Sequence, residues 1–171
     1  MIGKGQPIRA LRGDWMRSNL TTQGYCLSEG QCRELAFGLR FSTGLCLSLV
    51  VVALVLESPA MVFALSIVGL VASFGAHHPF DHLYNRAVRR VVGGPPIPPS
   101  PARRRHAFKV ATVWLVVVGA LLSASAITVA LVLGGLLVAA CATVTATNLC
   151  LPSEALAWWE RRTTRGEAIV T

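Results

Sequence analysis

The chain has 171 residues and a formal net charge of +8. Hydrophobic residues make up 53% of it and charged residues only 14%, with a mean hydropathy of +0.57. A soluble domain of this size cannot hide that much apolar surface, so a water-soluble globular fold is excluded and the placement of charge becomes the informative feature.

Residues 1–34 are mostly polar, with several glycines and scattered basic side chains. They are expected to form a cytosolic N-terminal segment, disordered or lying on the membrane surface, and no fold is assigned to them. The first apolar run begins too late, and lacks the cleavage pattern, for a secretory signal peptide, so it is expected to remain in the mature protein.

From Phe41 to Ala76 the only ionisable residue is Glu57, and from Val110 to Cys150 there is none. A single helix over the second stretch would be roughly 60 Å long, well beyond a bilayer of about 40 to 45 Å with its headgroups. Each stretch therefore folds back, the first at Glu57-Ser58-Pro59 and the second at Ser123-Ala124-Ser125-Ala126. The expectation is an all-α membrane protein with four transmembrane helices, at 36–56, 60–76, 108–123 and 127–146, arranged as two tandem hairpins. The membrane domain then covers 35–159, with a cytosolic loop at 77–107 and a cytosolic tail at 160–171.

Of the sixteen Lys and Arg, six lie between Lys4 and Arg40, seven between Arg86 and Lys109 and three between Arg161 and Arg165, with none in the hairpin turns. The positive-inside rule then puts both termini and the central loop in the cytoplasm of a cell inner membrane. The basic balance reads as a topology signal with attraction to anionic lipid headgroups, and no nucleic-acid partner is expected. Compared at an offset of 66, eleven of the 28 positions from 49 to 76 are identical to their counterparts, which suggests a tandem hairpin repeat with a two-fold axis along the membrane normal. Small residues at Ala130, Gly134, Gly135, Ala139 and Ala142, with Gly69 and Ser73, mark faces where helices can approach closely, within one bundle or with a second copy or membrane partner.

The central loop carries the sharpest chemical pattern. His78 and His82 are spaced i, i+4 with Asp81 between them, which on a helix places two imidazoles on one face, as Zn or Cu sites require. Cys26, Cys32 and Cys150, outside the spans, are the candidate thiolates to complete such a set. The competing expectation is that this segment caps the helix after span two, with Asp81 or His78 accepting from backbone N–H groups, and on that reading no cofactor is needed. Cys46 and Cys141 fall in apolar surroundings and are expected to be packing residues. Pro95 to Pro101 cannot form a helix and is expected to be an extended stiff spacer, with docking to an aromatic-lined groove as the other use. Over Pro152 to Arg162, Ser153 as cap, Glu154 in the first turn, Trp158 and Trp159 on one face and Arg161 and Arg162 at the end predict a short interfacial helix that leaves span four at Pro152, the alternative being a span four that continues to Trp159 with Pro152 as a kink.

The stretch His77 to Asn85, the run Gly93-Gly94-Pro95-Pro96-Ile97-Pro98-Pro99, the Arg103-Arg104-Arg105 cluster and Val113-Trp114-Leu115 together resemble a bacterial membrane family catalogued as domain of unknown function four-three-nine-five. The resemblance covers about residues 26–159 and implies two hairpins, a cytosolic Pro-containing loop, and cysteines before the first and after the last span, here Cys26 and Cys150. Many members carry a second Cys three residues after the last one, where this chain has Ser153, so dithiol chemistry is not implied for it. The resemblance supplies a fold and no activity.

No hydrolase elbow, phosphate-binding glycine loop or paired carboxylate is present in the sequence, and no ionisable residue sits deep in a span. The expectation is a non-enzymatic scaffold, assembly factor or partner subunit. A thiol- or metal-dependent protein using the cytosolic-side Cys and His, and an oligomeric pore for a neutral small molecule, are the alternatives.

Overall fold

The computed structural model describes residues 17–25 and 28–167, and among these there is helix but no strand. Helix α1 is Glu29–Val55, α2 Pro59–Phe74, α4 Ala102–Ser123, α5 Ile127–Thr147 and α6 Leu151–Glu167. Between α2 and α4 lies α3, Pro79–Val92, whose axis is bent 82° from that of α2. Its middle turn, Tyr84–Val88, is π-helical.

Three helices, Gly30–Val55, Ala102–Ser123 and Ile127–Thr147, are long and apolar enough to cross a membrane, or up to four crossings if α2 and the bent α3 count as one. Helix α2 has 16 residues and spans only about 24 Å, which is why it does not qualify alone. Pro59 at its first position and Ser58 accepting from the Met61 N–H start it, and Gly75 ends it.

The four long helices close a ring. Helix α2 packs most extensively on α4, α1 packs on α5, and the chain-adjacent pairs α1/α2 and α4/α5 complete it. All neighbours run antiparallel, as Gly69 against Thr112 and Gly119 against Phe63 show for α2/α4, and Gly44 against Thr145 and Gly134 against Leu54 for α1/α5. The core between them is Val50, Ala53, Leu54, Val62, Leu65, Leu115, Val118, Leu122, Ala130 and Leu137. Cys46 and Cys141 pack against it as expected of small hydrophobes.

The two hairpin turns are the same structure twice. Leu56, Glu57 and Ser58 donate to the carbonyls of Val52, Leu54 and Ala53, and Ala124, Ser125 and Ala126 donate to those of Ala120, Leu122 and Leu121. Glu57 and Ser125 both adopt positive φ, 47° and 59°. Every pair in this comparison is 68 residues apart (57 to 125, 54 to 122), and the buried positions Val50/Val118, Leu54/Leu122, Val62/Ala130 and Ser66/Gly134 keep that register. The repeat is thus structural at 68 and not at the offset of 66 expected from identities, which would lay Glu57 on Ser123. Those identities reflect a shared Leu, Val, Ala and Gly composition.

One end of the ring carries a cap with its own cluster of Leu20, Tyr25, Cys32, Leu35, Leu39, Tyr84 and Ile97. Residues 17–25 are not without structure: 17–22 are helical, Leu20 and Tyr25 are buried, and the segment is pinned to the end of α5 by Asn19 Nδ2 donating to Thr147 O (3.0 Å) and Gln23 Nε2 to Asn148 O (2.5 Å). These carbonyls are orphans of the last helical turn, so the cap satisfies what the helix cannot. The Pro-rich run is non-helical as expected and is also anchored, because Ile97 is buried in the cap cluster and Asn85 holds its backbone on both sides, Nδ2 donating to Ile97 O (3.3 Å) and Oδ1 accepting from Ile97 N (2.8 Å). Burial of an isoleucine contributes about 1.5 to 3 kcal/mol, enough to hold a loop whose prolines already restrict its freedom.

Candidate functional site

Between the ring and the cap lies a buried polar network. Its first element is the N-terminus of α3. His78 is the N-cap residue, its Nδ1 accepting from the Phe80 N–H at 3.2 Å, while Asp81 Oδ2 accepts from the His78 N–H at 3.1 Å. Pro79 fits because the first helical position needs no N–H. This is the helix-capping arrangement expected of Asp81 and His78.

Asp81, 0% exposed, reaches across to α1, where Ser42 Oγ donates to its Oδ1 at 2.5 Å. Arg104, in the first turns of α4, is buried on the same side and donates from Nη1 to the Tyr25 hydroxyl. Its guanidinium carbon lies 5.8 Å from the Tyr25 ring centroid and 5.4 Å from that of Phe108. The His78 ring meets Phe108 edge-on, centroids 5.0 Å apart. Thus α1 contributes Ser42, the start of α3 His78 and Asp81, α4 Arg104 and the N-terminal segment Tyr25 to a common interior.

Burial pushes the His78 imidazole well below its usual pKa; the Asp81 carboxylate opposes this and Arg104 reinforces it. His78 is therefore neutral near pH 7, as its acceptor role at Nδ1 requires. Burial raises the Tyr25 phenol, against the pull of Arg104. A charge taken out of water is tolerated only with partners, and here Arg104 and Asp81 sit in one network.

Of the residues grouped by the metal pattern, His78, Asp81 and His82 share the first turn of α3. His78 faces inward as a cap, and the ring beside His82 is that of His77, with centroids 5.3 Å apart. Cys32 is buried in the cap cluster and Cys150 at the start of α6. Among the described residues no three His, Cys, Asp or Glu side chains gather as metal ligands, and Cys26 lies outside the described residues. Ser42 and Tyr25 were not singled out in the sequence, and Arg104 only as a member of the Arg103-Arg104-Arg105 cluster. For Arg104 a signal existed: the inward stripe of α4, Leu122, Val118, Leu115 and Ala107, continues at helical spacing to Arg104 and passes over Arg103 and Arg105.

A second junction lies beside the first. Arg103 binds Glu160 of α6 through Nε (3.0 Å) and Nη2 (2.6 Å), and its Nη1 donates to Thr22 O at 3.1 Å. Ser153 does not cap α6 as expected. The helix begins at Leu151, and Ser153 Oγ, fully buried, donates to Arg103 O at 3.4 Å. The break after α5 is made by Asn148 at φ 56°, so Pro152 lies inside the first turn and is not the hinge.

A family model described as Domain of unknown function (DUF4395) matches residues 36–161, which includes both hairpins, α3, the Pro-rich loop and most of α6. No curated protein and no solved structure matches the chain.

Proposed function

We propose that this chain, which belongs to the family described as Domain of unknown function (DUF4395), is a four-span inner-membrane scaffold or partner subunit with a non-catalytic role. Both termini and the cap face the cytoplasm, and α6 rests at the inner interface with its exposed Trp158 and Trp159 at headgroup level. Helix α2 crosses despite its length, with Phe74 and Lys109, the latter 5.1 Å from the Phe74 ring, reaching the interface together.

The observation that carries this reading is the direction in which polar chemistry points. Asp81, His78, Arg104, Tyr25 and Ser42 are all buried, and their contacts join elements of the fold to one another. The outward face of the ring is apolar, with Val55, Ile67, Phe74, Val113 and Val132 all well exposed, as a surface for lipid or for other membrane helices. A network that satisfies itself rigidifies a fold and specifies one arrangement of its parts.

The test is complementation of a deletion strain by His78→Asn, Tyr25→Phe and Asp81→Asn, each compared at matched amounts in the membrane. The proposal expects every variant that reaches wild-type abundance to complement. A variant present at wild-type level that fails to do so would show that the network performs chemistry.

A further inference from the structure

Helix α3 carries two exposed stripes, of which, among the described residues, only His82 meets another side chain, the ring of His77. His82, Arg86 and Arg90, four residues apart, are all exposed, and so are Leu83, Ala87 and Val91 one position on, Val91 at 89%. In an α-helix residues four apart drift by about 40° around the axis. The π turn at Tyr84–Val88 is wider and takes back part of that drift, so both stripes run nearly straight along α3.

Their orientation follows from what holds the rest of the helix. Asp81 and Tyr84 face α1, where they meet Ser42, Phe37 and Phe41. Asn85 is clamped to Ile97, which packs with Cys32, Leu35 and Leu20, on the side away from the apolar ring. Residues two apart on a helix point in nearly opposite directions, about 200° around the axis, so Leu83 and Ala87 face away from Asn85 and from the cap cluster that Ile97 joins. The basic stripe lies between that side and the solvent. The 82° bend lays α3 across the direction of α2, beginning just past Phe74.

We propose that α3 is an in-plane interfacial helix, with Leu83, Ala87 and Val91 entering the acyl boundary and Arg86 and Arg90 binding anionic phospholipid headgroups. This rests on the transmembrane reading above. An apolar stripe beside a basic one, on a helix parallel to the membrane, is the arrangement by which surface helices select anionic lipid. The complementarity decides between occupants: Asp81 and Glu160 are engaged with Ser42 and Arg103, and Glu34 and Glu154 are far outnumbered at this end by Arg and Lys, so a second copy would bring mainly like charge to the basic stripe.

The experiment places the fluorescent residue dansylalanine at Val91, and separately at Val132 on α5, in the full chain reconstituted into vesicles. Brominated phosphatidylglycerol or brominated phosphatidylcholine is added at equal mole fraction to a common phosphatidylcholine background. Residue 91 is expected to be quenched by both and several-fold better by the anionic lipid. Arg86→Gln with Arg90→Gln should erase that preference while leaving quenching by phosphatidylcholine. Residue 132 should be quenched equally by the two. Water-like emission at 91 with quenching at 132 would overturn the proposal and leave the transmembrane reading intact, whereas no quenching at 132 would overturn both. Blue-shifted but unquenched emission at 91 would mean that protein, such as a second copy, covers the stripe, and would also overturn it.

Discussion

Ser42 and Asp81, 39 residues apart, share a buried hydrogen bond of 2.5 Å that ties the beginning of α3 to the side of α1. Asp81 also receives the His78 N–H, so one carboxylate fixes both the start of α3 and its position on the bundle. Removing a group that leaves buried donors unmet costs more than removing one of those donors. Asp81→Ala is expected to destabilise the protein by about 3 kcal/mol and Ser42→Ala by about 1 kcal/mol. Thermal unfolding in detergent checks the order, and a double-mutant cycle should show the pair to be coupled.

The pH dependence follows from His78. Its pKa is lowered in the folded protein, so the unfolded chain binds the proton more readily. The associated stability is complete above the unfolded value of about 6.5 and is lost as pH falls below it toward the folded value, at up to about 1.4 kcal/mol per pH unit. His78→Asn retains a capping side chain without a titrating ring. Its unfolding midpoint between pH 6.5 and 5 should therefore fall less steeply than that of the wild type, and parallel curves would remove His78 as the cause.

Glycines separate packing from composition. A Cβ on Gly38 would lie 2.9 Å from Tyr84 Cε1 and 3.1 Å from Ile97 Cγ1, both buried in the cap, and one on Gly134 would lie 2.6 Å from Leu54 Cδ2. Around Gly135 nothing lies within 4 Å. Gly38→Ala and Gly134→Ala are expected to cost about 1 to 3 kcal/mol, and Gly135→Ala to be neutral or slightly stabilising in its helix. Unfolding midpoints of the three variants, measured side by side, check the contrast.

What was legible in the sequence was the part governed by long-range hydropathy: the apolar stretches, the turns at Glu57 and Ser125, and the family, carried by the loop motifs. Hydropathy says nothing about which polar residues near a membrane meet one another, so the cap was missed. Leu20 and Tyr25 look like isolated residues in a polar segment until Ile97, some 70 positions later, is seen to pack on them. The i, i+4 spacing of His78 and His82 does not reveal that Pro79 starts the helix with His78 as its N-cap, or that the ring beside His82 is that of His77. The offset of 66 misled because identities among Leu, Val, Ala and Gly carry little register, whereas the hydrogen-bonded turns fix it at 68.

The central claim is a four-span bundle with its polar cap on the cytoplasmic side, and topology reporters test it most directly. Alkaline phosphatase and green fluorescent protein should each be fused after Thr171 and inserted beside Pro98, Glu57 and Ala124 in the full chain. The account predicts fluorescence without phosphatase activity at Thr171 and Pro98, and phosphatase activity without fluorescence at Glu57 and Ala124. Phosphatase activity at Pro98, or both turns reporting the cytoplasm, would contradict it.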